Sequence, residues 1–193
     1  MTKEEVLEIF KKAEAYLEGH FVLTSGYHSP NYFQKNKVFQ YPEYTEKLGK
    51  AIAENFKDDK INVVCSPAVG AIILGYEVAR QLGVRFVFLE RENGIFNLRR
   101  GFELKENENV LIVEDIITTG GSVHEVIDCL KKYPVKIAGL GYVIDRSEGN
   151  ANFDIPSKAL ATVNVEKFAP DSIPGWLAKI PVYAPGSKYI KNK

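Results

Sequence analysis

The run Val110-Leu-Ile-Val-Glu-Asp-Ile-Ile-Thr-Thr-Gly-Gly-Ser-Val123 constrains the fold of this chain more than any other stretch. Four apolar residues, Val110 to Val113, read as a fully buried strand of a parallel sheet. Glu114 and Asp115 follow, at the point where that strand is expected to end. Ile116 and Ile117 then lead into Thr118, Thr119, Gly120, Gly121 and Ser122, a run of small residues rich in N–H and hydroxyl donors. Ser122 and Glu125 have capping-box spacing, which predicts a helix starting there. The order is strand, acidic pair, small-residue loop, helix N-terminus.

That order carries chemistry. A glycine loop at a helix N-terminus presents free N–H groups and the positive end of the helix dipole, which together cradle a phosphate. Glycines let the backbone approach the anion closely. Carboxylates one turn upstream do not suit a phosphate, but they accept hydrogen bonds from sugar hydroxyls or hold Mg²⁺. The combination suits a phosphorylated sugar. The plainer alternative is a strand-turn-helix in which Ser122 only caps and the acids are solvated. No Gly-Lys-Ser/Thr and no G-x-G-x-x-G accompanies the loop, so those nucleotide-binding motifs do not apply.

With 25 basic and 25 acidic residues the net charge is zero, which removes a simple electrostatic case for nucleic acid or an anionic membrane as partner. The longest apolar stretches fall short of the ~18 residues of a membrane span. No signal peptide is visible in the charged opening from Met1, and a cytoplasmic location is expected. Cys65 and Cys129 lie in apolar segments and are expected to be buried free thiols.

Strands alternating with helices, with no linker or internal repeat, predict one α/β domain with a mostly parallel sheet. Thr2 and Glu5 open an amphipathic helix with Val6, Ile9, Phe10, Ala13 and Leu17 on one face, stopped by Gly19. The aromatic segment Gly19 to Gln34 predicts a short hairpin turning at Ser25-Gly26. His20 and His28, taken singly, are more often surface or core residues than catalysts. A helix is expected from about Tyr41 to Phe56, with Pro42 in its first turn. Ile61 to Cys65 reads as a strand, Ser66 to Gly70 as a turn, and Ala71 to Leu82 as a helix ended by Gly83. Val84 to Leu89 is a β-rich run leading into a charged loop or hairpin, Glu90 to Gly101, that holds Arg91, Arg99 and Arg100. Those arginines are either solvated surface or the cations that a diphosphate leaving group requires. Val135 to Ile144 is a further buried strand, with glycines where something approaches closely, ending at Asp145-Arg146. That charged pair is either a structural ion pair or part of the ligand edge of an open sheet. Ala159 to Val165 is a last strand; a short helix around Gly175 to Lys179 and an extended tail with Pro185 and Gly186 follow.

The central run resembles the phosphoribosyl-diphosphate motif of type I phosphoribosyltransferases, a motif that does not choose the base. A second pattern does. Phe21, Leu23, Ser25, Gly26, Ser29, Tyr32 and Phe33 are similar to the N-terminal signature of orotate phosphoribosyltransferases. The resemblance implies an open, mostly parallel α/β sheet flanked by helices, residues 1–193 forming a single domain, with a small hood from about residues 1–35 plus the C-terminal segment. It implies transfer of the phosphoribosyl group to orotate, giving orotidine 5′-monophosphate and diphosphate in UMP synthesis. Thr118 to Ser122 would anchor the 5′-phosphate, and Ala68, Val69 and Gly70 would receive the diphosphate. Glu114 and Asp115 would hold the ribose hydroxyls beside Ile116 and Ile117. Mg²⁺ would be carried mainly by the diphosphate and not by direct protein ligands. Tyr32, Phe33, Thr118 and Arg146 would face orotate, with Arg146 pairing its carboxylate bidentately. Arg91, Arg99 and Arg100 would sit on a closing loop, residues 91–101, that reaches the partner's site in a homodimer.

The chain departs from better-known branches of that family. Thr24 and Val69 stand where those branches place lysines, and residues 92–101 carry neither lysine nor histidine. Arg99 and Arg100 are expected to substitute as catalytic cations. Two rivals stand at this point: a purine or uracil phosphoribosyltransferase, and a regulator that kept the ribose-phosphate site but binds RNA or DNA.

Overall fold

The computed structural model describes residues 1–23, 25–147 and 149–183. Thr24 and the expected tail at Pro185 and Gly186 lie outside them. The first helix, α1 (Lys3–Lys12), has both halves of its capping box: the Glu5 amide donates to Thr2 Oγ1 at 3.3 Å and the Thr2 amide to Glu5 Oε2 at 2.7 Å. It does not run on to Gly19. Glu14 turns to φ +51°, and the Ala15 amide closes on the Phe10 carbonyl at 2.7 Å. The chain then leaves as β1 (Tyr16–Val22), so Leu17 and Gly19 belong to a strand. A turn closed by the Gly26 amide on the Leu23 carbonyl leads to the antiparallel β2 (His28–Phe33), giving the expected hairpin.

A short α2 (Asn36–Phe39) and then α3 (Pro42–Asn55) follow, with Pro42 in the first turn of α3, where its missing N–H costs nothing. Next come β3 (Val63–Pro67), α4 (Ile72–Leu82), β4 (Arg85–Glu92) and β5 (Ile95–Leu98). Gly83 ends α4 in a left-handed conformation at φ +69°. The second half holds β6 (Asn109–Ile117), α5 (Gly121–Leu130), β7 (Lys136–Asp145) and β8 (Ser157–Thr162). Last are α6 (Gly175–Ala178) and the two-residue β9 (Val182–Tyr183). Val163 to Val165 leave the expected last strand.

Six strands form one sheet in the order β5-β4-β3-β6-β7-β8, parallel except for β5, which pairs antiparallel with β4 at the edge. Alternation along each strand sorts the core into two faces. Val64, Leu111 and Val113 pack with α1, α3 and α4, whereas Val63, Cys65, Val110 and Ile112 pack with α5. Both cysteines are free and buried, and burial pushes the Cys65 thiol up. The two β7 glycines are seats for α3: a Cβ on Gly139 would lie 2.8 Å from the Phe56 ring, and one on Gly141 2.6 Å from Ile52. Ile52 and Phe56 are almost wholly buried there, worth about 1.5–3 kcal/mol for each side chain.

A second sheet, in the order β2-β1-β9, joins the two ends of the described chain, with β9 parallel to β1. His20 fastens it: Nδ1 lies 3.0 Å from the Ile180 carbonyl and Nε2 2.6 Å from His28 Nδ1. In the larger sheet the chain steps from β3 outward to β4, then returns to the other side of β3 as β6. Strand order therefore reverses between β3 and β6, and the loops beyond their C-terminal ends flank the crevice where open α/β sheets bind ligands.

Candidate active site

A cavity of about 390 Å³ opens beyond the end of β6. Its floor is Thr118, Thr119, Gly120, Gly121 and Ser122, and its far wall includes Tyr32, Phe33 and Arg146. Gly120 caps α5 in a left-handed conformation at φ +81°, and the Phe153 ring lies 2.8 Å from where a Cβ would stand. Conformation and space both demand glycine there. The capping box expected of Ser122 is not formed: α5 starts at Gly121, no side chain caps it, and Ser122 is already in the first turn. Its hydroxyl is left to the cavity wall, beside the first N–H groups of a ten-residue helix that have no helical acceptor.

The acidic pair also sits differently from expectation. β6 continues through Ile117, which pairs with Asp145 of β7, so Glu114 and Asp115 lie inside the strand and not beyond its end. They are 7% and 1% exposed. Glu114 Oε1 accepts the Asp115 amide at 3.0 Å. Asp115 Oδ1 accepts the Ile116 amide at 2.5 Å and the Lys35 ammonium at 2.7 Å, while the buried Oδ2 has no partner. Burial first, and then the negative charge of Asp115, pushes the Glu114 carboxyl well above the usual carboxylate range. An orphaned carboxylate oxygen beside a glycine-rich floor at a helix N-terminus suits a sugar hydroxyl or a water on a metal ion. Among the described residues no group of three or more His, Cys, Asp or Glu is arranged to hold a metal.

Arg146 begins where β7 ends, its amide donating to the Ile117 carbonyl at 2.8 Å. It is 9% exposed, and its guanidinium stands 5.4 Å from the Phe33 ring centre. Burial pulls its pKa down, and Nε has no hydrogen-bond partner. Asp145 does not pair with it but turns to the Ser147 amide at 2.7 Å. A buried cation with an unused donor on a cavity wall calls for an anionic ligand.

Comparison with known proteins converges on the same chemistry. Residues 36–171 match the model of the phosphoribosyl transferase domain. An orotate phosphoribosyltransferase of Thermoanaerobacter sp. (strain X514) is 50% identical, covering 97% of this chain and 99% of that one. One from Caldicellulosiruptor saccharolyticus is 49% identical, covering 99% and 100%. The chain belongs to the orotate phosphoribosyltransferase family. The solved orotate phosphoribosyltransferase of Aeropyrum pernix superposes with a TM-score of 0.70 at 20% identity, over 82% of this chain and 93% of that one. The adenine phosphoribosyltransferase of Thermoanaerobacter pseudethanolicus reaches 0.62 at 15% identity, over 69% and 88%. Fold is thus shared across enzymes named for different bases, and choice of base has to come from side chains.

Of the residues the family pattern singles out, the cavity wall gathers Tyr32, Phe33, Glu114, Ile116, Ile117, Thr118 to Ser122 and Arg146. Asp115 lies just behind it, against Gly70: a Cβ on Gly70 would stand 2.5 Å from Asp115 Oδ2. Ala68 and Val69, joined by a cis peptide bond, are off the wall, and Val69 is 80% exposed. The hairpin arginines are not brought to the cavity. Arg91 bonds Glu125 at 2.5 Å and stacks on Phe96, Arg99 pairs with Glu92, and Arg100 holds Glu90 through two bonds. One wall residue had no place in the sequence reading: Lys35, whose partner is eighty positions away and announced by no motif.

Proposed function

We infer that this protein transfers the 5-phosphoribosyl group of phosphoribosyl diphosphate to orotate, releasing orotidine 5′-monophosphate and diphosphate on the route to UMP. The floor from Thr118 to Ser122 and the α5 N-terminus bind the 5′-phosphate, far from the bond that changes. Asp115 and Glu114 accept the ribose hydroxyls, which fixes C1 relative to the base. Orotate lies between the hood aromatics Tyr32 and Phe33 and the loop, with its carboxylate on Arg146. Diphosphate departs with the electron pair of its C1–O bond, while a ring nitrogen of orotate supplies the pair for the new C1–N bond. Positive charge gathers at C1 between these events, so anchoring both ends of the ribose is the main task of the protein. Mg²⁺, when bound, would supply charge neutralisation for the leaving group, and Asp115 and Glu114 would be the carboxylates to hold it through its waters.

The chain acts as one domain, with the β2-β1-β9 sheet as the hood over the base. The β4–β5 hairpin and the residues just after it, whose arginines do not line their own cavity, serve the site of the second subunit in a homodimer. A cytoplasmic location accords with this chemistry; no helix among the described residues is long and apolar enough to cross a membrane.

Arg146 carries the reading, because its buried, underused guanidinium matches a carboxylate that adenine and hypoxanthine lack. The test follows orotate absorbance after phosphoribosyl diphosphate and Mg²⁺ are added. Loss of absorbance that needs both additions is expected. Arg146→Ala should raise the KM for orotate by about tenfold to a hundredfold, the worth of a charged hydrogen-bond pair, and change that for phosphoribosyl diphosphate far less. Unchanged orotate affinity in the variant would return the choice of base to other residues.

A further inference from the structure

Lys35 belongs to no motif, yet it stands where three segments converge. It comes two residues after β2, its ammonium lies 2.7 Å from Asp115 Oδ1, and a Cβ on Gly70 would be 3.3 Å from the same nitrogen. The hood, the loop after β3 and the acidic strand β6 therefore meet at one amine. Among the described residues on the cavity wall the cations are Lys35 and Arg146. Arg146 is buried and stacked on Phe33, whereas the Lys35 side chain is 40% exposed on a four-carbon stem and is free to swing. The loop beside it, Ser66 to Gly70, contains no cationic side chain, and the hairpin arginines are all engaged by glutamates.

We propose that Lys35 is the cation that this chain supplies to the diphosphate in its own site, and that it exchanges Asp115 for the substrate's diphosphate when phosphoribosyl diphosphate enters. The proposal rests on the ribose-phosphate reading above and adds a residue to it. Without substrate, the ammonium balances a carboxylate that is 1% exposed and would otherwise be a costly buried charge. With substrate, a ribose hydroxyl takes Asp115 Oδ1, and the released ammonium meets the diphosphate at Gly70. A point charge on a flexible stem suits that exchange, since it must satisfy a planar carboxylate in one state and a tetrahedral phosphoryl group in the other. The exchange also couples the two halves of the substrate: the hydroxyls displace the cation that the diphosphate requires.

Titration of Lys35→Met and Lys35→Arg with Mg²⁺-diphosphate, phosphoribosyl diphosphate and ribose 5-phosphate tests this. Lys35→Met should weaken diphosphate and phosphoribosyl diphosphate by about tenfold to a hundredfold, one charged hydrogen bond's worth. Ribose 5-phosphate, which lacks the diphosphate, should bind equally well or more tightly, and Lys35→Arg should recover part of the loss. Diphosphate affinity unchanged in Lys35→Met, or a loss equal for all three ligands, would reduce Lys35 to a structural counter-ion of Asp115 and overturn the proposal. Should Lys35→Met unfold, Lys35→Arg decides: a selective change in diphosphate affinity supports the proposal and none refutes it. A wild-type protein that binds diphosphate through Lys35 but leaves orotate untouched would sink the functional reading alone. One that binds no diphosphate sinks both.

Discussion

Replacing Glu114 by glutamine should change how stability depends on pH. Burial and the charge of Asp115 push the Glu114 carboxyl up to about 8 from its ordinary 4.5. Between those values the folded chain holds a proton at this site that the unfolded chain has released. Stability therefore falls as pH rises through this window, by at most ~1.4 kcal/mol per pH unit for one proton. From about pH 5.5 to 7.5 the site then costs the wild type on the order of 3 kcal/mol. Glutamine keeps the oxygen that accepts the Asp115 amide and cannot ionise. Any penalty for burying its amide is independent of pH and drops out of the slope. Urea unfolding midpoints of both proteins, at one protein concentration and a series of pH values, give the difference directly. Glu114→Gln should gain on the wild type steadily with pH across the window. A difference that stays flat, or that shifts in favour of the wild type, would show that Glu114 is ionised in the fold and that the cavity is better solvated than its burial implies.

Gly75→Ala should destabilise by ~1–3 kcal/mol through overpacking. Its Cβ would fall 2.0 Å from Ser66 Oγ and 2.7 Å from the Phe86 ring, and calorimetry reads the lowered Tm. Adding Ser66→Ala should recover part of that loss by removing the nearer atom. Replacing Arg99 and Arg100 together by alanine should lower turnover strongly with little effect on Tm, because the ion pairs lost are surface ones that water screens. Unchanged turnover would remove the hairpin from the mechanism.

Wherever one local rule settled a position, the sequence could be read. Thr2 and Glu5 form their box, Pro42 starts α3 and Gly83 ends α4. The continuous apolar runs became the buried strands of a parallel sheet, and the loop Thr118 to Ser122 lines the cavity beyond β6. Failures came where distant pairing overrode local preference. Ala13 to Glu18 contains good helix formers, yet pairing with β2 draws Tyr16 onward into a strand. Ladder bonds to β7 carry β6 past its apolar run, which buries the acids that were expected at its end. Ser122 has the spacing of a cap, but Gly120 can adopt the left-handed turn two residues earlier and starts the helix first. Lys35 and β9 left no trace because their partners are some eighty and one hundred and sixty positions away.

The small sheet whose β2 brings Tyr32 and Phe33 to the cavity wall is completed by both ends of the described chain, with Phe21 beside Tyr183 and His20 bonded to the Ile180 carbonyl. This orders events during synthesis. At about 5–20 residues per second, α1 and the β1–β2 hairpin emerge many seconds before the strand that completes their sheet. The loop Thr118 to Ser122 and the acidic strand β6 can be assembled on a nascent chain while the small sheet is still a two-stranded ribbon with one edge bare. The small sheet that carries Tyr32 and Phe33 is thus completed only when residues 180–183 leave the ribosome.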